Sequence, residues 1–148
     1  MKYRTGRRSM SRLMSLLLFA VLVGAAAFLA SGFTSIGLGS WYEGLSKPFF
    51  QPPSYLFGPV WTFIYILIAV SGWILYRHVG SLDHSVIVLF FLQLVLNSAW
   101  SAFFFVLKTP ALALVEIIAL LAVITAYIYR SWRYSRLASA LFTPYWLW

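Results

Sequence analysis

Four stretches of this chain are apolar for about 20 residues each, the length an α-helix needs to cross a bilayer core at a rise of about 1.5 Å per residue. They run from Leu13 to about Ile36, Leu56 to Tyr76, Ser85 to Leu107 and Ala111 to Tyr129, and the one charge inside them is Glu116. A soluble fold of this size has too little interior to hide them. Hydrophobic residues make up 62% of the chain and charged residues 9%, against about 25% charged in a soluble domain. Lipid is then the solvent for most of the surface, and the chain reads as an all-α integral membrane protein with a single domain over residues 1–148.

A fifth apolar segment begins near Leu137 and stops at Trp148. Its roughly 12 residues give about 18 Å of helix, little more than half of a core of about 30 Å. The expected architecture is a five-transmembrane-helix bundle with the fifth helix, 137–148, truncated at Trp148. The first run has the basic start and Ala-rich middle of a secretory signal peptide, but it exceeds the h-region length of about 7–15 residues, so a retained helix is expected.

The net charge of +8 does not point to nucleic acid, because the basic residues flank apolar runs, where they act as topology signals. The N-terminus and the 77–84 and 130–136 loops hold nine Lys/Arg, against Lys47 and Lys108 in the 37–55 and 108–110 loops. The richer side is placed in the cytoplasm, with the N-terminus. A chain with no Cys has neither disulfides nor thiolate metal sites.

Residues 37–55 hold Pro48, Pro52 and Pro53 and cannot form one continuous helix. They also hold Trp41, Tyr42, Phe49, Phe50 and Tyr55, so the segment reads as a structured aromatic lid at the outer surface. Aromatics reach 20% of the chain, more than interface belts require, which suggests that some line the bundle interior. In the third run Gln93, Asn97, Trp100 and Phe104 share one helical face. Amides in a membrane helix are costly unless bonded, so this face should turn inward. It either ties helices together or forms the polar wall of a ligand cavity, and the two roles are compatible. Trp61, Tyr65, Ile68, Gly72 and Tyr76 share a face of the second run, as packing or as a ring wall. Glu116 is a functional-site candidate, because a charge at mid-bilayer costs at least about 2.5–3.5 kcal/mol; a structural, paired or snorkelling acid is the other reading. His78 and His84 fall in the short basic loop, leaving no intramembrane haem ligand, and no metal site is expected. Small residues at Ala26/Ala30 and Ser98/Ala102 allow close helix contacts, within the chain or across a homodimer seam.

The segment Trp41-Tyr42-Glu43-Gly44-Leu45-Ser46-Lys47-Pro48-Phe49-Phe50-Gln51-Pro52-Pro53 resembles the W-Y-x-x-L-x-K-P-x-W-x-P-P signature of the TspO, or translocator protein, family. Similar too are Gly58-Pro59-Val60-Trp61, the Gln93 to Trp100 stretch ending in Phe104-Phe105, an acid early in the fourth helix, and Pro144-Tyr145-Trp146-Leu147-Trp148. The matches keep family order from Trp41 to Trp148. Phe50 replaces the usual Trp and Glu116 the usual Asp. Family members continue the fifth helix well past this point, which implies either a fragment or an incomplete bundle. Sterol recognition, placed in that missing end, is not carried over.

The resemblance implies a receptor- or sensor-type protein that binds a flat hydrophobic ligand, a tetrapyrrole such as protoporphyrin IX, with a role in its transport or regulation. No cofactor is required. Trp61, Tyr65, Trp100 and Trp148 would be ring walls, Gln93 and Asn97 polar anchors, Trp41, Tyr42, Phe50 and Pro52 the cover, with Phe104 and Tyr145 also among the ligand-binding residues. Two further readings remain open. One is a light- or oxygen-dependent porphyrin-degrading enzyme with Trp61 and Trp148 as redox-active rings; the other is a non-binding membrane complex component. The implied location is a bacterial cell membrane.

Overall fold

The computed structural model describes residues 10–82 and 84–148. Among these every regular element is helical: α1 (Arg12–Gly37), α2 (Ser40–Glu43), α3 (Ser54–Val79), α4 (Ser85–Ser101), α5 (Pro110–Ser131) and α6 (Arg136–Leu147). A π-helical turn, Ala102–Val106, extends α4. Four helices, α1, α3, α4 with its π turn, and α5, are long and apolar enough to cross a membrane. At 12 residues α6 reaches only about 18 Å, so helix length does not confirm the five-span count.

Helix ends follow local chemistry. Ser11 caps α1 by accepting from the Met14 N–H at 3.1 Å, and Ser135 caps α6 through Ala138 at 3.2 Å. Pro110 opens α5, where its missing N–H costs nothing. Gly80 closes α3 in the left-handed region, at φ 71°. The second span differs from expectation. It begins at Ser54, with Pro53 as its cap, so Pro59 is not in the first turn but is the sixth helical residue. Its ring removes the bond that Tyr55 would accept. Nearby, the Gly58 carbonyl accepts from the Thr62 hydroxyl, at 2.9 Å.

Packing closes a circuit. α1 lies against α3 and α4, α4 against α5, α5 against α6, and α6 against α3. Close approach needs small residues. An ideal Cβ on Gly72 would come within 2.6 Å of the Phe90 ring and 2.8 Å of Phe19, so α1, α3 and α4 meet there. Ser98 donates to the Ala26 carbonyl at 3.2 Å, which places that small-residue pair inside the chain.

The bundle has two chemically distinct ends. The basic end contains the α3–α4 turn and the α5–α6 corner with Arg130, Arg133 and Arg136. The aromatic end contains α2, the start of α3, the π turn and the start of α5. Its floor is a core of wholly buried rings, Phe19, Phe90, Tyr127 and Phe142.

Candidate functional site

An amide in an apolar helix must find partners, and Asn97 finds two. Tyr65 donates its hydroxyl to Asn97 Oδ1 at 2.7 Å, and Asn97 Nδ2 donates to the Tyr145 hydroxyl at 2.8 Å. These two bonds fix the amide's orientation and tie α3, α4 and α6 together at one level. Trp61, one turn above Tyr65 on α3, stands 5.3 Å from the Tyr65 ring and 6.0 Å, edge to face, from Tyr145. Trp148 is edge to face with Phe57 at 5.8 Å. Trp61 and Tyr65 are only half-buried, and Trp148 stays 46% exposed. These rings keep free faces, whereas the core rings below them keep none.

Trp100 and Phe104 form a second group. Their rings stack at 5.1 Å and 11°. Trp41 meets Phe104 at 5.6 Å, and Tyr42 meets Phe105 at 5.7 Å. The π turn puts Phe104 and Phe105 side by side under α2, with their ring centroids 4.9 Å apart. Gly37 lets α1 pass over this turn, since its Cβ would lie 2.6 Å from Phe105 Cβ. Tyr42 is further held by Gln51, whose Nε2 donates to its hydroxyl at 3.0 Å, and by Lys47, whose Nζ sits 4.3 Å from the ring centroid. Trp100 and Phe104, both half-buried, therefore pack against the lid segment.

Two polar side chains find nothing to bond. Gln93 is fully buried and Glu116 is 6% exposed, and among the described residues neither amide atom and neither carboxylate oxygen has a partner. Gln93 lies one turn along α4 from Asn97, and Glu116 one and a half turns into α5. Such atoms cost about 1–3 kcal/mol each when left unpaired.

The sequence matches the TspO/MBR family over residues 17–148. The chain belongs to that family. It is 44% identical to the tryptophan-rich protein TspO of Archaeoglobus fulgidus over 125 residues, 84% of this chain and 80% of that protein. It is 35% identical to the TspO of Chlorobaculum tepidum over 144 residues, 90% of this chain and 87% of that one. With human translocator protein the identity is 32% over 111 residues, covering 73% and 66% respectively.

Within this TspO-family chain the signature segment 41–53 is the lid, but not all of it covers the interior. Phe50 is 72% exposed and pairs edge to face with Phe49 at 5.3 Å, and Phe49 is fully exposed. Pro52 is half-buried. The structure thus gathers Trp61, Tyr65, Asn97 and Tyr145 into one site. It packs Trp41 and Tyr42 of the lid against Phe104 and Phe105, with Trp100 stacked on Phe104, and leaves Phe50 outside both groups. The π turn carries no sequence signal, because its i to i+5 bond, Leu107 N–H to the Ala102 carbonyl at 2.9 Å, needs no particular side chain.

Proposed function

We propose that this TspO-family protein binds a flat hydrophobic ligand of the tetrapyrrole class, such as protoporphyrin IX, at the aromatic end of its bundle. The ligand enters between helices beneath the lid, in a five-helix arrangement that α6 completes, with the basic end on the cytoplasmic side. One observation carries this reading: the half-covered Trp61 and Tyr65 and the buried Tyr145 surround the bonded Asn97, with the buried, unpartnered Gln93 one turn along the same helix and Glu116 on α5.

Each half-covered ring offers a planar face, worth about 0.5–1.5 kcal/mol per good aromatic pair beyond simple burial. Trp61 and Tyr65 form the walls, the buried Tyr145 backs them, and Trp148 with Phe57 stands at the rim. Gln93 and Glu116 supply polar atoms whose pairing with a ligand's polar edge would remove the cost of leaving them bare. Relatives named translocator protein and tryptophan-rich sensory protein are in keeping with a receptor that reports or hands on its ligand.

Titrating the purified protein with protoporphyrin IX while following tryptophan fluorescence tests the proposal. Saturable quenching is expected, with affinity several-fold weaker in Trp61→Ala, the effect of losing about one to two ring contacts. Quenching that never saturates, or affinity untouched by that substitution, sinks it.

A further inference from the structure

Two shallow, open grooves lie on the outward face of α5. One groove of about 590 Å³ runs past Ile118, Leu121 and Ala122, and a second of about 570 Å³ runs past Ile128 to Trp132 and Arg133. They share Thr125 and Tyr129, so they form one channel. From Ile118 to Ser131 it follows about 20 Å of helix. Thr125 adds little polarity, because its hydroxyl donates to the Leu121 carbonyl at 2.7 Å and accepts from the Trp146 indole at 2.9 Å.

The channel is apolar along its length and cationic at one end. Arg133 lies 5.7 Å from the Tyr129 ring and Arg136 lies 5.5 Å from Trp132, so aromatic faces hold both guanidinium groups at the channel mouth. Arg130 adds a third charge within the same corner. The acids among the described residues, Glu43 and Glu116, lie toward the aromatic end. Glu116 is 14 residues of helix from Arg130, about 21 Å. This corner therefore offers planar, hydrogen-bonding cations beside a membrane-depth apolar channel, with aromatic rings of the type that sit at headgroup level.

We propose that the α5 channel is a binding site for an anionic glycerophospholipid, with one acyl chain along Ile118–Tyr129 and the phosphate at Arg133 and Arg136. Surrounding lipid is as apolar as the channel wall, so the chain gains little by entering it. Selectivity resides in the headgroup, where the guanidinium forks match phosphate oxygens. The channel sets where the lipid lies and the arginines set which lipid it is. The site is independent of the ring-lined end.

The test is native mass spectrometry of the purified full chain with an equimolar mixture of phosphatidylglycerol and phosphatidylcholine of identical acyl chains. The wild-type protein should retain phosphatidylglycerol in excess. Each arginine removed should lower that excess about fivefold, so Arg133→Gln with Arg136→Gln approaches parity. Both residues are exposed and their loss should leave folding intact. Ala122→Trp, also at an exposed position, fills the channel and should lower phosphatidylglycerol retention with every arginine in place. Equal retention of the two lipids by the wild type overturns the proposal. So does a preference that survives the double substitution. A preference unmoved by Ala122→Trp means a diffuse positive field rather than a site. A dimer that Ala122→Trp splits without changing lipid preference would show that a second copy covers the channel.

Discussion

The two ends of this bundle bury polar groups in opposite ways. At the basic end every buried hydroxyl that joins helices is bonded. Ser71 donates to the Ala138 carbonyl at 2.6 Å, and Tyr127, having no other role for its proton, donates to Ser71 at 2.9 Å. Ser139 donates to the Ile128 carbonyl at 2.7 Å, and the Tyr127 ring lies 4.1 Å from Phe142. At the aromatic end Asn97 is bonded while Gln93 and Glu116 are not, and Trp61 and Tyr65 nearby are half-covered. A lipid-solvated protein has no water at depth to satisfy bare polar atoms. The closed end holds α3, α5 and α6 together, and the open end keeps unmet bonding capacity. The proposed ligand site calls for such a rigid base beneath it.

The comparison is most easily broken at its rigid side. Tyr127→Ala should cost about 3–5 kcal/mol, the usual range for deleting a fully buried ring, read from equilibrium unfolding in mixed micelles. A cost no greater than that of Tyr65→Ala would remove the contrast between the ends. Gly72→Val should come next, destabilising by about 1–3 kcal/mol because the Phe19 and Phe90 rings leave no room for added methyl groups. An unchanged midpoint would mean the three helices are looser than the contact implies.

The open end should respond with the opposite sign. Gln93→Met replaces an amide that bonds nothing with a side chain of similar shape, so the ligand-free protein should gain about 1–2 kcal/mol while porphyrin affinity falls. A loss of stability would show that the amide is already satisfied. The smallest effect belongs to Tyr65→Phe, which deletes one of the two bonds to Asn97. Interhelical hydrogen bonds in membranes average about 0.6 kcal/mol, and a double-mutant cycle with Asn97→Ala should return a coupling of that size. Zero coupling would place the hydroxyl elsewhere in solution.

Much of this was legible in the sequence because lipid leaves few options. Long apolar runs with a single charge among them locate the four long helices to within a few residues, since interrupting them with charge is what the bilayer penalises. Asn97 announced itself as an amide in an apolar run, and its inward orientation followed. Its partners did not, because contact between Tyr65 and Tyr145 depends on how α3 and α6 face each other. Trp100 and Phe104 share a helical face with Asn97 in a regular helix, yet Phe104 falls in the π turn beyond Ser101, which sets it against Trp41 while it stacks on Trp100. The second span starts two residues before Leu56, because Pro53 caps it, and Pro59 falls inside the helix. The Ser71–Tyr127–Ala138 lock was invisible, since a serine in an apolar helix can bond its own backbone as readily as a neighbour.

Amide hydrogen exchange with and without saturating protoporphyrin IX tests the division between a fixed base and a ligand-holding end most directly. The account predicts slowed exchange across the lid, residues 38–53, with no change at the α5–α6 corner, residues 131–136. Lid amides that exchange equally fast in both states, or protection appearing at the corner instead, would contradict it.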